Sequence, residues 1–239
     1  MPASEVLRQR CVANLAAVRD AVAEACGRAG RAPAEVTLVG VTKYVNADLA
    51  RLLLEAGCTD LAESRPQELW SKAAALAGLG ARWHLVGHLQ RNKVRRTLAT
   101  GALVHTLDSL RLREALDMEA GAAGCTCDVL VEVNVSGDPG RSGVAEAEAE
   151  TLVSAAAASR HLRLRGLMAM ASHPDGPASD ARRDFARLRA LRDRLAAGAA
   201  EPAQLRELSM GMSGDFAAAI LEGATMVRIG SALFAGLGT

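Results

Sequence analysis

The chain has 239 residues, half of them apolar, but only one Tyr, two Trp and three Phe, so we expect a core built from Ala, Val, Leu and Met. A formal net charge of +1 excludes the basic surplus that is typical of nucleic-acid-binding proteins. The sequence has no apolar stretch of membrane length, and its first ten residues carry charges where a signal peptide needs an apolar segment. We therefore expect a cytoplasmic protein that binds neither nucleic acid nor membranes.

The predicted elements begin with an amphipathic helix over residues 4–29, followed by short apolar runs that alternate with helical patterns. The runs predict strands at 36–42, 59–62, 83–86, 102–106, 128–135, 162–168, 205–209 and 225–229. Helices are predicted between them at 46–56, 66–78, 88–99, 109–123, 144–159, 179–197 and 214–222. Asn46 and Asp215 are expected to cap the starts of their helices, and Gly57 and Gly223 to end them.

The order of these elements predicts the fold class, which is α/β. Strands that are apolar on both faces indicate parallel pairing, and eight strand–helix units fill a chain of this length. We predict a single domain over residues 1–239, a (β/α)8 TIM barrel on which residues 1–30 pack as an extra N-terminal helix. A doubly wound open sheet is the alternative, but strands spread over the whole chain favour closure.

The first predicted strand, VTLVGVTK (36–43), ends on one of only three lysines among 28 basic residues. Active sites of TIM barrels lie at the C-terminal ends of the strands, where Lys43 falls. Arginine matches the charge of lysine but has no nucleophilic primary amine. A partly desolvated lysine there would have a lowered pKa and could form a Schiff base. The alternative is a lysine whose stem packs against the protein while its ammonium reaches water.

The last two predicted strands lead into turns rich in Gly and Ser, LSMGMSGDF (208–216) and MVRIGSALF (226–234), and each turn is expected to start a helix. Loops after the seventh and eighth strands of TIM barrels commonly bind phosphate, and glycine lets backbone N–H groups approach an anion closely. The candidate donors are Ser209, Ser213, Gly230 and Ser231. The alternative is that both segments are only tight turns.

Arg228 lies among apolar neighbours in the eighth predicted strand, where an unpaired charge is costly. It is predicted either to form an ion pair with Glu132 or Glu63, or to donate to a ligand that the phosphate-binding turns hold. An amine, a phosphate site and a buried guanidinium together suggest pyridoxal 5′-phosphate (PLP) as the ligand.

The cysteines and histidines do not complete a metal site. Cys125 and Cys127 are spaced CxC without a matching His/Cys pair, so reduced structural thiols are expected for all five cysteines. His84 and His88 are four residues apart, but no nearby carboxylate completes a ligand set. We expect no metal ion, and structural or exposed positions for His105, His161 and His173.

Seven motifs carry a resemblance to a known family: VTK (41–43), ESRPQE (63–68), WHLVGHLQRNK (83–93), EVNVSGDPGRSG (132–143), GLMAM (166–170), LSMGMSGDF (208–216) and EGATMVRIGS (222–231). In this combination the sequence resembles the pyridoxal phosphate homeostasis proteins, relatives of the barrel domain of alanine racemase (fold type III). The resemblance runs from about Val36 to Phe234. It implies that Lys43 holds PLP as a Schiff base and that Arg228 faces the pyridine nitrogen. The other implied cofactor-binding residues are Ser213, Gly230 and Ser231 at the phosphate, His84, Met168 and Asn134 along the cavity, and Ser64, Ser209 and Gly214 beside them.

The sequence departs from the family pattern at three positions. Ser64 stands where asparagine is common, Ala62 where glycine is common, and Ser231 where threonine is common. Ser231 keeps a hydroxyl group of the same type, whereas the role of Ser64 is left open. In the alternative interpretation, Met168 and Asn134 do not line the cavity and only pack against the protein or form hydrogen bonds with backbone groups.

The resemblance leaves a carrier and an enzyme as alternatives. An arginine that faces the ring nitrogen keeps it largely unprotonated, which weakens the cofactor as an electron sink. Alanine racemase also needs a tyrosine from a second domain, for which we see no room, and by strand alternation Tyr44 is expected to point away from Lys43. We therefore predict a non-enzymatic protein of PLP homeostasis, a monomer or weak dimer that buffers PLP or delivers it to apo PLP-dependent enzymes. The alternatives are a small PLP-dependent amino-acid racemase or lyase and a PLP-free phosphosugar enzyme.

Two further features are left open by the sequence. Lys72 and Lys93, the remaining lysines, could hold a second molecule of PLP. The basic stretch RNKVRR (91–96) has no interleaved acidic residues and is a candidate docking patch.

Overall fold

Strands and helices alternate along the chain in the computed structural model, which describes residues 3–172, 180–198 and 202–237. The strands are β1 (Thr37–Val41), β2 (Asp60–Glu63), β3 (Arg82–Leu85), β4 (Leu103–Leu107), β5 (Cys127–Asn134), β6 (Val144–Ala145), β7 (Leu162–Met168), β8 (Glu207–Ser209) and β9 (Met226–Ile229). The helices are α1 (Ala3–Arg28), α2 (Ala47–Glu55), α3 (Pro66–Ala75), α4 (Val94–Leu98), α5 (Leu110–Ala122), α6 (Glu146–Ala157), α7 (Ala181–Gly198) and α8 (Phe216–Leu221). Three short 3₁₀ turns lie at Pro33–Glu35, Arg91–Lys93 and Pro202–Leu205.

Eight of the strands close into a parallel barrel. Their order is β4-β3-β2-β1-β9-β8-β7-β5, and β4 also pairs with β5, so the ring has no free edge. This closure confirms the predicted TIM barrel and excludes the open doubly wound sheet. The two-residue strand β6 was not predicted and extends the C-terminal end of β5, where Val133 pairs with Val144.

Local signals place the helices that follow the strands. Asn46 caps α2 as predicted, because its side chain accepts a hydrogen bond from Leu49 N at 3.0 Å. Gly57 follows that helix with a φ of +102°, a conformation that L residues rarely adopt. Asp215 occupies the N-cap position of α8 as predicted, but its side chain makes no capping hydrogen bond, because its Oδ1 instead accepts from Met212 N at 2.5 Å.

The larger apolar layer lies between the strands and the surrounding helices. Its fully buried members include Leu53, Leu85, Leu116, Val131 and Phe185. Helix α1 packs against α2 and α8 through a buried stripe of Cys11, Leu15, Val18, Val22 and Cys26. Aliphatic side chains supply most of this layer, as the scarcity of aromatic residues predicts.

A second, partly polar layer fills the inside of the barrel. Register places Val39 beside Arg228, Ala62 beside His84, and Met168 beside Ser209. Residues in register on neighbouring parallel strands share a face of the sheet. The barrel interior therefore combines small apolar side chains with buried polar ones, and these polar groups all need partners.

Two predicted helices differ from the structure. The helix expected over 88–99 consists only of the 3₁₀ turn Arg91–Lys93 and the five-residue helix α4. The helix expected after the last strand is wrong, since residues 231–236 form successive turns. In these turns Leu233 N donates to Gly230 O at 3.0 Å. This hydrogen bond joins residues three apart, as in a tight turn, whereas an α-helix joins residues four apart.

The five cysteines are free thiols, as expected. Burial, together with the nearby Asp60 carboxylate, raises the pKa of Cys58 to about 12, and burial beside Asp128 does the same for Cys127. None of the helices in the described ranges combines the length and apolarity needed to cross a bilayer. The expectation for His173 lies outside the described residues.

Candidate functional site

Lys43 lies on the turn that follows β1, at the C-terminal end of the barrel. Its side chain is exposed, and its Nζ stands 4.7 Å from the centre of the Tyr44 ring. Two expectations are therefore corrected: Lys43 is not partly desolvated, and Tyr44 does not point away from it. The physical reason is that β1 ends at Val41, so the alternation of an extended strand does not continue through the turn.

A buried ion pair between Lys72 and Glu63 contacts the residue that precedes Lys43. Lys72 Nζ lies 2.5 Å from Glu63 Oε1 and donates to the carbonyl oxygen of Thr42 at 2.8 Å. The Thr42 hydroxyl also donates to Glu63 Oε1 at 2.5 Å. Lys72 is only 3 % exposed, so the idea that it holds a second PLP molecule is not supported. Ser64, which follows Glu63, is half-buried at the same end of β2.

The two turns predicted to bind phosphate meet at this end of the barrel. Gly230 N donates to Ser213 Oγ at 3.4 Å, and Arg228 N donates to Gly211 O at 2.9 Å, so the turns after β8 and β9 are joined directly. Space is open at Gly214, where an added Cβ would meet no atom within 4 Å. At Gly230 an added Cβ would come within 3.3 Å of Val41 O.

The donors on these turns suit an oxyanion. These turns carry the hydroxyl groups of Ser213 and Ser231 and the backbone N–H groups of Gly214 and Gly230, and the Gly230 N–H donates to Ser213 Oγ in a long bond of 3.4 Å. The Asp215 carboxylate, in the first of these turns, accepts a hydrogen bond from Met212 N. A cavity of about 440 Å³ adjoins the turns and is lined by Val41, Tyr44, Val45, Gly230, Ser231 and Phe234. The residues present therefore fit a phosphorylated ligand beside Lys43.

Arg228 is buried inside the barrel and directed by two protein acceptors. Its NH1 donates to Ser209 Oγ at 2.7 Å, and its NH2 donates to Ala169 O at 3.0 Å. Burial lowers the pKa of Arg228 to about 10, against the opposing effect of the Asp215 and Glu132 carboxylates, so it stays cationic at neutral pH. These bonds use two of the five N–H donors of the guanidinium.

The ion pair predicted for Arg228 does not form with either glutamate. Glu63 is paired with Lys72, and Glu132 accepts a hydrogen bond from the Ser142 hydroxyl at 2.5 Å. Burial raises the pKa of Glu132, and the hydrogen bond from Ser142 opposes that rise. The alternative interpretation, in which some N–H groups of the Arg228 guanidinium stay available to a ligand, agrees better with these contacts.

His84 is buried, and both of its ring nitrogens have protein partners. Nδ1 lies 2.9 Å from His105 Nε2, and Nε2 lies 3.1 Å from Asp60 Oδ1. Beyond it, His105 Nδ1 lies 2.9 Å from Ser209 Oγ. The sequence reasoning missed Asp60 and His105 as site residues. Both are polar residues that lie next to apolar residues in short strands. This pattern in the sequence could have identified them, because a buried polar residue needs a hydrogen-bond partner.

Asn134 and Met168 take structural positions. Asn134 Nδ2 donates to the carbonyl oxygens of Asp138 and Arg141, and its Oδ1 accepts from Ser136 and Gly137, so the side chain organises the loop after β5. This is the alternative in which Asn134 satisfies backbone groups. Met168 is buried inside the barrel in register with Ser209. Contact of either residue with a cofactor stays a prediction.

His88 and the basic stretch lie outside this cluster. His88 is exposed and lies 3.3 Å from Asp108 Oδ2. Among the described residues, no three His, Cys, Asp or Glu side chains are grouped as a metal site. In the basic stretch, the Arg96 guanidinium stacks 4.3 Å from the Trp70 ring, on the outer helical layer.

Comparison with known proteins places the chain in a family. Residues 13–237 match the family model described as alanine racemase, N-terminal domain. The chain is 41 % identical over 221 residues to the pyridoxal phosphate homeostasis protein of Pseudomonas aeruginosa, covering 92 % of this chain and 93 % of that protein. It is 37 % identical over 224 residues to the protein of the same name in Escherichia coli strain K12, covering 92 % and 94 %.

A solved structure shows the same likeness in three dimensions. PipY of Synechococcus elongatus, solved with PLP bound, superimposes with a TM-score of 0.80 at 32 % sequence identity, covering 94 % of this chain and 99 % of that one. The family model, the two relatives and this structure agree in extent, since each spans nearly the whole barrel. The chain therefore belongs to the alanine racemase N-terminal domain family and, within it, to the pyridoxal phosphate homeostasis proteins.

Proposed function

We propose that this protein binds PLP covalently through Lys43 and serves PLP homeostasis by holding and releasing the cofactor. The observation that carries the proposal is the direct junction of the two Gly/Ser turns at Ser213 and Gly230, beside β1 and the turn that holds Lys43. Two relatives carry the name pyridoxal phosphate homeostasis protein, and PipY was solved with PLP bound, which supports the same ligand here.

When bound, PLP supplies an aldehyde that condenses with a primary amine and a phosphate that needs several donors. Lys43 would provide the amine, and its exposed side chain has the rotational freedom to turn from Tyr44 toward the barrel mouth. Ser213, Gly214, Gly230 and Ser231 would hold the phosphate through hydroxyl and backbone N–H groups. The remaining proposed contacts are Ser64, His84, Asn134, Met168 and Ser209.

Arg228 would face the pyridine nitrogen. Ser209 and Ala169 hold its guanidinium in place, and the group stays cationic at neutral pH. A fixed positive charge opposes protonation of a neighbouring nitrogen. The bound cofactor would then withdraw electrons weakly, which suits storage and transfer to apo PLP-dependent enzymes rather than turnover of amino acids. We further propose that the protein acts in the cytoplasm as a monomer or weak dimer.

One observation favours a second candidate function, a small amino-acid racemase or lyase. The only tyrosine of the chain lies beside Lys43, with its ring 4.7 Å from Nζ, where a second acid–base group would be needed. Assays for stereoinversion and cleavage of amino acids by the PLP-loaded protein separate the candidates. Turnover at ordinary enzymatic rates that is lost in Tyr44→Phe would replace the carrier proposal with the enzyme.

The attachment site is tested by borohydride reduction of the PLP-treated protein followed by peptide mapping. We expect one label per chain, on Lys43, and none in Lys43→Ala. Lys93→Ala is the matched control, because it removes the half-buried lysine of the 3₁₀ turn Arg91–Lys93 and leaves the barrel mouth intact. Label on Lys72 or Lys93 in the native protein, with Lys43 unmodified, would refute the proposal.

A further inference from the structure

An unbroken relay of buried hydrogen bonds crosses the inside of the barrel. It begins at Arg228, whose NH1 donates to Ser209 Oγ at 2.7 Å, and continues to His105 Nδ1 at 2.9 Å. His105 Nε2 lies 2.9 Å from His84 Nδ1, and His84 Nε2 lies 3.1 Å from Asp60 Oδ1. All five residues are buried, so we treat them as one unit, the Asp60–Arg228 relay.

The relay connects the two ends of the barrel. Asp60 is the first residue of β2, at the N-terminal ends of the strands and away from Lys43. There its carboxylate also accepts hydrogen bonds from Arg82, at 2.9 Å from Nε and 2.5 Å from NH2. A cavity of about 480 Å³, lined in part by Cys58, Thr59, Asp60 and Arg82, opens at this end. The far end of the relay is thus close to solvent.

One assignment of protons satisfies every group in the relay. Burial alone would raise the pKa of Asp60, but hydrogen bonds from His84 and Arg82 outweigh it and lower the pKa to about 2, so the carboxylate is ionised. It therefore accepts a hydrogen bond from His84 Nε2, and the lone pair on His84 Nδ1 accepts a hydrogen bond from His105 Nε2. His105 Nδ1 then accepts a hydrogen bond from the Ser209 hydroxyl, and Ser209 Oγ accepts a hydrogen bond from Arg228 NH1.

The neutral state of His105 fits this assignment. Burial, with the Arg228 charge acting in the same direction, lowers the pKa of His105 well below its ordinary value. The reverse direction fails at both ends of the relay. His84 Nε2 would present a lone pair to the Asp60 carboxylate, and Ser209 would accept from both neighbours with no acceptor in the relay for its own proton.

We propose that Asp60, His84 and His105 are positioning residues for Arg228. The carboxylate sets the direction of the relay, and the relay in turn holds the Ser209 lone pair toward the guanidinium. Hydrogen bonds aligned in one direction polarise and strengthen one another in a buried environment. The inference rests on the proposed function, in which Arg228 faces the pyridine nitrogen. A change at Asp60 is therefore expected to alter bound PLP across the barrel.

The proton assignment is tested in the cofactor-free wild-type protein by nitrogen-15 NMR of the histidine rings. We expect each of His84 and His105 to carry its proton on Nε2 and a lone pair on Nδ1. A proton on Nδ1 of either ring overturns the relay. This measurement needs no cofactor and no variant, so it stays decisive if PLP fails to bind or a substituted chain fails to fold.

The effect on the site is tested with Asp60→Asn, which removes the charge and keeps the shape. Asp128→Asn is the matched control, because Asp128 lies at the start of β5 at the same end of the barrel and pairs with Arg163 without contacting the relay. We expect Asp60→Asn to take up one PLP on Lys43 but to bind it about tenfold more weakly, or ~1.4 kcal/mol. Its bound cofactor should also show a shifted absorbance maximum, whereas Asp128→Asn should match wild type.

Each result bears on one claim. Equal affinity and equal spectra for the two variants would overturn the positioning role. A wild-type protein that binds no PLP would instead refute the proposed function. In that case the NMR measurement alone would decide whether the relay has the proposed proton assignment. Ser209→Thr, which keeps the hydroxyl, should retain affinity that Ser209→Ala loses, and equal loss in both would also contradict the relay.

Discussion

Lys72 Nζ lies 2.5 Å from Glu63 Oε1 and 2.8 Å from the carbonyl oxygen of Thr42, the residue immediately before Lys43. Two of the three lysines therefore act on one turn: Lys72 supports it from inside, and Lys43 extends from it into solvent. Glu63 Oε2 has no hydrogen-bond partner among the described residues, so the pair depends on its single shared oxygen. This arrangement makes the turn sensitive to changes below it.

Replacing Lys72 with Met is expected to destabilise the protein by about 3–5 kcal/mol, because the buried Glu63 carboxylate loses its counter-charge. The double variant Lys72→Met with Glu63→Gln should lose less, since no uncompensated charge is then left buried. Urea unfolding measures both. Lys93→Met is the control and should stay within about 0.5 kcal/mol of wild type. A double variant as unstable as Lys72→Met alone would show that the ion pair is not what stabilises the turn.

Replacing Tyr44 with Ala is expected to speed the reaction of Lys43 with PLP. The Tyr44 ring holds the ammonium in an exposed cation–π contact, which is worth ~0.5–1 kcal/mol. Its removal should raise the rate or apparent affinity about two- to fivefold, while Tyr44→Phe keeps the ring and should resemble wild type. Stopped-flow absorbance with the two variants checks this. Slower uptake in Tyr44→Ala would mean that the ring assists PLP binding instead of retaining the lysine.

Gly211 and Gly214 lie in the same turn but should respond differently to alanine. Gly211 has a φ of +91°, and an added Cβ would lie 2.6 Å from the Ala219 side chain, so Gly211→Ala should cost about 1–3 kcal/mol. An added Cβ at Gly214 meets no atom within 4 Å, and its substitution should change stability by less than about 0.5 kcal/mol. Thermal unfolding of the two variants tests the difference, and equal losses would contradict the geometry.

Asp60 should make stability depend on pH in the acid range. Its pKa is lowered from 3.8 to about 2, so its stabilising contribution is complete above pH 3.8 and is lost as the pH falls through 2. A shift of this size corresponds to roughly 2 kcal/mol. Urea unfolding at several pH values should therefore give a stability gap between wild type and Asp60→Asn that is largest above pH 4 and shrinks toward pH 2. A gap that stays constant over this range would count against an ionised, hydrogen-bonded carboxylate.

Much of the architecture follows from patterns that are local in the sequence. Apolar runs such as residues 36–42 predict strands that are buried on both faces, which is typical of parallel sheets covered by helices. Eight such strands, spread over the whole chain and alternating with helices, favour closure into a barrel. The scarcity of lysine singled out Lys43, and the Gly/Ser turns marked the end of the barrel where it lies. These features need no knowledge of which side chains meet across the barrel.

The tertiary structure decided the orientations of the side chains and their contacts. Strand alternation does not extend past Val41, so the orientations of Lys43 and Tyr44 follow from a turn that the sequence pattern does not describe. Arg228 donates to Ser209, 19 residues away, and to Ala169, 59 residues away, and the relay reaches Asp60 only because strands distant in sequence share the barrel interior. The sequence by itself determined the fold class and the family, and it singled out Lys43 as the candidate reactive amine. Closure of the barrel decided how the buried charges are paired, because pairing depends on distances in space that residue order does not contain.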